Sequence, residues 1–353
     1  MAPERLFPTS VVGSMPRPQF VRDLLRPETR GALGKRELCR RLDIAVAYVV
    51  ALQEAAGLDV VSDGEWRRLS YIGVIADICD GFEVEYRGQQ PWTVVVGKIA
   101  PRCPGVVARE AQFVAGHTAC EPKVALPSPY LLGQRMWDAQ RSRSAYPTRE
   151  EFMRALVPVL RGELEAVRRA GLRRVQFDDP HLCLFVDPRV RQQYADPTAE
   201  MDLCVELLNE IAEGFDDLHI AIHLCRRNKG RGGWVGEGGY GPILDHLGRL
   251  NVDEYMLEFA IPVAGDFAVL RDLPEGRGIG LGCVDCRGEH VDEPEEIVGR
   301  VEKALAYVAP ERVTLHPDCG FAPGSAADIP IDEAYQKLCN EVRAAEILRG
   351  RYA

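Results

Sequence analysis

No run of apolar residues in this 353-residue chain approaches the ~18 needed to cross a bilayer, and the opening Met1-Ala-Pro-Glu-Arg has no apolar core of signal-peptide length. These absences argue against a membrane or secreted protein and predict a cytoplasmic one. An excess of positive charge is missing too: the net charge is −10, whereas a nucleic-acid binder needs a concentrated basic surface. The arginine pairs (Arg40-Arg41, Arg67-Arg68, Arg173-Arg174, Arg226-Arg227) are scattered and are expected to be solvated helix ends. There is no internal repeat and no low-complexity stretch. No glycine fingerprint follows the first strand, which removes the usual dinucleotide site.

What is present is ordinary globular material, 46% hydrophobic and 27% charged, enough for a sizeable core. The eleven cysteines are expected in a reducing compartment, where metal ligation or burial is favoured over disulfides.

Short apolar runs alternate with helical periodicity. Strands are expected at 7–14, 58–61, 124–126, 174–177, 219–222, 254–259, 278–281 and 312–315. Helices are expected at 36–56 (stopping at Gly57), 149–170 (stopping at Gly171), 201–212, 293–308 and 331–348, with a short one near 266–270. Alternation of this kind implies parallel pairing, because a parallel return needs a crossover. Eight such units predict a single-domain (β/α)8 TIM barrel over residues 1–353, with a doubly wound sheet as the alternative. The stretch 66–121 breaks the pattern and is expected to be an inserted, hairpin-like excursion after the second strand.

In such barrels functional groups sit where strands end. The ends deliver Ser14; Asp63 and Glu65; Ser128; Asp178 and Asp179; His223 and Cys225; Glu258; Cys283 to Cys286; and Cys319. His223 and Cys225 are two apart on an extended segment, so both side chains leave one face. With Glu258 and Cys319 they predict a tetrahedral N/S/O zinc site. His316 is a candidate to support the metal from behind. A zinc carrying two thiolates is a poor acid toward water but suits thiol activation, so sulfur alkylation follows more naturally than hydrolysis. Cys283 and Cys286, a lone pair, are expected to be structural. The glycine-rich loop 226–241 reads equally as a cationic cover for an anionic substrate or as a solvated surface loop.

These motifs resemble the cobalamin-independent methionine synthase family, in its catalytic C-terminal barrel and its short single-barrel relatives. The pieces are Val12-Gly13-Ser14-Met15-Pro16-Arg17, Gln53 to Asp59 into Asp63-Gly64-Glu65, Val175 to Pro180, His223-Leu224-Cys225, Leu257-Glu258 and Pro317 to Phe321. The resemblance implies the barrel, zinc held by His223, Cys225, Glu258 and Cys319, and methyl transfer to the sulfur of homocysteine. It implies that Ser14 holds the amino-acid carboxylate and Asp178 its ammonium; Ser128 and Asp179, from their strand ends, are further candidates to line the substrate. Apart from the resemblance, a carboxylate at the mouth (Asp63, Glu65 or Asp285) is expected to relay a proton.

There are three departures. Gly73 stands where a second ammonium-binding carboxylate is expected. Asp179 and the sequence after Pro180 differ from the family pattern, and the N-terminal barrel of the long enzymes is absent. The methyl donor is therefore open between methyltetrahydrofolate, a methylcorrinoid (with a corrinoid protein as partner) and others; a homo-oligomer is the other partner considered. Epoxyalkane:coenzyme M transferase-like thiol addition is the alternative activity, and a non-catalytic zinc- or thiol-binding protein the alternative of another class.

Overall fold

Seven parallel strands form one curled sheet in the computed structural model, which describes residues 5–87, 90–322 and 329–353. In chain order the strands are β1 (Val60–Val61), β2 (Cys79–Arg87), β3 (Gln90–Pro101), β4 (Glu121–Pro127), β5 (Arg174–Asp178), β6 (His219–Leu224), β7 (Glu254–Glu258), β8 (Gly278–Val284) and β9 (Val313–Pro317). β2 and β3 pair antiparallel as a separate hairpin, and the other seven lie in the order β1-β4-β5-β6-β7-β8-β9. Val175, Phe177, Ile220, Ile222, Tyr255, Leu257, Ile279 and Leu281 are all buried. That is the near-continuous apolar reading of strands covered on both faces.

The eighth strand expected at 7–14 is not a strand. Pro8 lacks an N–H, and the chain turns away before Pro16, so only a short contact survives. Thr9 makes a single parallel bridge to Leu315 of β9 and Ser10 one to Val60 of β1. Ser10 N donates to Leu315 O (2.9 Å), Leu315 N to Pro8 O (2.8 Å) and Val60 N to Thr9 O (2.9 Å). Residues 8–10 are thus bonded to both edges of the curled sheet. Lys123 reinforces the join from inside, its Nζ donating to Ser10 Oγ (3.2 Å), Gln176 Oε1 (2.8 Å) and Val11 O.

The helices lie where the periodicity puts them. The long helix Pro27–Ala56 includes the expected 36–56, extended upstream across a kink at Gly34, and ends on Gly57 in the left-handed region (φ 92°). Helix Arg149–Arg169 starts at Thr148, whose hydroxyl caps Glu151 N (3.1 Å).

Ion pairs hold the strand starts together, at the end of the sheet away from the site. Glu254 accepts from His219 Nε2 (2.8 Å) and pairs with Arg174 (3.3 Å), joining β5, β6 and β7. Burial raises its pKa, but the His219 hydrogen bond and the His219 and Arg174 charges outweigh it and hold the group near 2, from an ordinary value near 4.5. A carboxyl depressed on folding stabilises above its unfolded pKa and loses that contribution as pH falls through the folded one. Glu254→Gln should therefore cost on the order of 3 kcal/mol at neutral pH and weaken the loss of stability between about pH 4.5 and 2. Denaturant unfolding at stepped pH measures both; parallel pH profiles for wild type and variant would contradict it.

Candidate metal centre

β6 ends with His223 and Leu224, and Cys225 follows directly. The strand pleat sends His223 and Cys225 to one side. Cys319 arrives from the turn after β9. Ligand atoms of His223, Cys225 and Cys319 lie within 4.8 Å of one another, and all three residues are buried. Neither ring nitrogen of His223 has a hydrogen-bond partner. Burial and the nearby His316 keep the imidazole neutral, its pKa well below the usual histidine value. A buried imidazole with both nitrogens orphaned, against two thiols, is a donor set suited to zinc. His316 stands edge-on to His223 at 6.4 Å between ring centroids and gives its Nδ1 to Pro317 O (2.6 Å).

Glu258 is differently placed. Its Oε2 accepts from Arg226 N (2.7 Å) and lies 3.4 Å from the Arg226 guanidinium, while Oε1 is ion-paired with Arg287. Arg226 is fully buried, also bonding Tyr240 Oη (2.9 Å), Gly238 O and Ala264 O. Far from being a solvated helix end, Arg226 fixes the loop after Cys225 to the end of β7. Arg68 departs from the expectation in the same way, buried on Glu110 (2.7 Å). Asp318 completes the cluster: Oδ1 accepts from Phe259 N and Ala260 N (2.9 Å each), and Oδ2 lies 3.6 Å from Arg287. Nothing local in the sequence marks Arg226, Arg287, Asp318 or Tyr240 as a site residue, because the burial of an arginine is decided by partners far along the chain.

The other strand-end groups divide in two. Ser128 and Asp179 are taken up structurally. Ser128 Oγ donates to Asp179 Oδ2 (2.5 Å) and caps Leu131 N (2.9 Å). Asp179 also caps Leu182 N (2.8 Å) and accepts from Cys204 Sγ (3.1 Å). The oxygens of Asp285 are likewise used, by Arg287 N (2.8 Å) and Gly288 N (3.0 Å). Cys283 and Cys286 form no disulfide.

Ser14, Asp63, Glu65 and Asp178 keep free capacity. Ser14 is buried against Gly320, where a Cβ would come within 2.2 Å of Ser14 Oγ, so no larger residue fits there. Asp63 Oδ2 and Glu65 Oε2 are buried without hydrogen-bond partners. Glu65 holds a left-handed backbone (φ 58°), the kind of strain that persists at functional positions. Burial raises its pKa, and burial together with the Glu65 charge pushes Asp178 up to about 7. Asp178 Oδ1 accepts from Gln176 Nε2 (2.6 Å), which links it through Gln176 to Lys123. Gly73 precedes the short helix Val74–Ile78, and a Cβ there would lie 3.0 Å from Ser70 Oγ.

Residues 7–347 match the family described as the cobalamin-independent synthase catalytic domain. The chain belongs to that family. Among its relatives, the methionine synthase of Pyrococcus horikoshii is 27% identical over 352 residues, covering 98% of this chain and 93% of the relative. That of Thermococcus kodakarensis is 27% identical, covering 99% and 95%. The fold is shared with a B12-independent methionine synthase from Shewanella sp. W3-18-1 solved with selenomethionine (TM-score 0.79, 23% identity, 98% of both chains). A putative vitamin-B12 independent methionine synthase from Listeria monocytogenes has a TM-score of 0.76 at 24% identity, covering 98% of this chain and 99% of that one. A cobalamin-independent synthase needs no corrinoid, so the methylcorrinoid donor and the corrinoid-protein partner lose their support, and no relative bears out a homo-oligomer. Among the described residues no helix is long and apolar enough to cross a membrane.

Arg287 is ion-paired with Glu258 and lies 3.6 Å from Asp318, whose pKa burial and the Glu258 charge push well above the usual carboxyl value. Arg287→Met should cost about 3–5 kcal/mol in equilibrium unfolding, because Glu258 is left short of a counter-charge in a dry interior. A loss under about 1 kcal/mol would contradict this reading of the cluster.

Proposed function

We propose that this chain is a zinc-dependent S-methyltransferase of the methionine synthase type, acting on a thiol such as homocysteine with methyltetrahydrofolate as donor. The reading takes residues 1–353 as one (β/α)8 barrel in which residues 8–10 stand as a vestigial eighth stave, bonded to both β1 and β9. Family membership supports an enzymatic methyltransferase. The observation that carries the rest is His223, buried with both ring nitrogens unpartnered beside Cys225 and Cys319.

His223, Cys225 and Cys319 would hold the zinc, with Glu258 beside them on its arginines. Zinc in this set favours the thiolate form of an incoming thiol at neutral pH, which keeps the sulfur nucleophilic. Everything else falls to the protein. Glu65 Oε2, buried and unpartnered, is suited to take up the proton that leaves the thiol, and the guanidiniums of Arg68 and Arg17 favour its charged form beforehand. Asp178, raised to about 7 and steadied by Gln176, would meet a polar group of the substrate, and Ser14 Oγ would donate to its acidic end. Asp63 lies next to Glu65 as a second stop for the proton, its Oδ1 held by Glu65 N (2.9 Å). Burial of the ligand group, Glu65 and Asp178 keeps water from competing with the thiol.

Cys319→Ala should lower zinc affinity about a hundredfold or more and abolish methyl transfer, read by metal analysis after dialysis and by product formation. Full zinc occupancy in that variant would overturn the ligand set.

A further inference from the structure

Two guanidiniums near the metal group have no counter-ion. Among the described residues, the side chains of Arg135 and Arg227 make no ion pair and no hydrogen bond; Arg135 only faces the Trp92 ring, 5.9 Å from its centroid. Most other arginines near the site end on a carboxylate or a carbonyl: Arg68 on Glu110, Arg226 and Arg287 on Glu258, Arg17 on Glu65 O. Arg135 and Arg227 are both half-buried, and desolvating a guanidinium without a partner is costly unless a ligand supplies the charge.

The topology gathers these groups. β4, β5 and β6 are adjacent, with Pro127, Asp178 and His223 in register at their ends. Arg135 sits on the helix Pro129–Met136 after β4, His181 on the helix Pro180–Cys183 after β5, and Arg227 two residues beyond Cys225 after β6. The two helices pack on each other. The Arg227 charge is felt by Arg135, and both are felt by His181. Tyr71, from the loop after β1, lies within electrostatic reach of Arg135 and Arg227 and also of Cys225 and Asp178, so the pair is beside the metal group. Nε2 of His181 is buried without a hydrogen-bond partner. Arg227 itself holds a left-handed backbone (φ 61°), one of three non-glycine residues to do so among those described.

We propose that Arg135 and Arg227, with Tyr71 and His181, form an anion-binding subsite beside His223, Cys225 and Cys319, and that the acceptor thiol carries an acidic group at the end away from its sulfur. A carboxylate, sulfonate or phosphonate would fit; an ammonium is not required. The assignment to the thiol rests on the thiol-transfer reading above, whereas the anion site does not.

Zinc-loaded enzyme is titrated with 2-mercaptoethanesulfonate, 2-mercaptoethanol and 2-mercaptoethylamine, which differ only in the charge at the far end. The sulfonate should bind at least about tenfold more tightly than the neutral thiol, with the ammonium weakest. The order should collapse in an Arg135→Gln/Arg227→Gln double variant that still takes up zinc. Equal binding of the three, or preference for the ammonium, overturns the assignment to the thiol. Ethanesulfonate titrated into metal-free protein reads the subsite alone: saturable binding lost in the double variant is expected, and no binding overturns the proposal even where zinc is held. Ethanesulfonate binding in a protein that refuses zinc would sustain the anion site and refute the metal reading instead.

Discussion

Glu258 and Asp318 bring two carboxyl groups into a dry interior at the ends of β7 and β9, and acids in such a place need partners where they lie. Arg287 reaches both, and Arg226 clamps Glu258 through backbone and guanidinium together. The same contacts position the chain segments that matter. Arg226 follows Cys225 directly, and Asp318 precedes Cys319, so fixing the two charged residues fixes the two thiols. Asp318 also ties down the start of the loop after β7 through Phe259 N and Ala260 N. The geometry of the proposed ligand set thus follows from how Glu258 and Asp318 are satisfied one residue away from each thiol.

The two ends of the sheet divide the labour. At the strand starts, Glu254, His219 and Arg174 close an ion cluster in which each charge finds a partner. Glu254 Oε1 is left over there, but at the strand ends the unpartnered atoms gather around one spot: both nitrogens of His223, Asp63 Oδ2, Glu65 Oε2 and His181 Nε2. Native interiors tolerate few such orphans, and a concentration of them at one end marks where ligands are to supply the missing partners. The guanidiniums of Arg135 and Arg227, without ion pairs among the described residues, extend that pattern to cations.

Most of this frame was legible in the sequence, because strand–helix alternation fixes where strands end and strand ends are where side chains of differing chemistry meet. His223, Cys225 and Cys319 could be brought together on that ground alone. Ser128 and Asp179 show the limit of the same rule. A serine or aspartate at a strand end, followed by proline, is also how a helix begins, and Ser128-Pro129 and Asp179-Pro180 both serve as helix N-caps. Arg226 shows another: an arginine beside another arginine reads as solvent-facing, and only Glu258, 32 residues on, makes its burial affordable. The first strand shrank to two bridges because Pro8 withholds a donor, although its apolar composition reads as extended.

Zinc-edge X-ray absorption on the purified protein, alone and then with thiol, tests the central claim most directly. Two sulfur ligands and at least one imidazole nitrogen at rest, from Cys225, Cys319 and His223, with one more sulfur after the thiol is added, is the result expected. Zinc without sulfur neighbours, or protein that takes up no zinc at all, would contradict it.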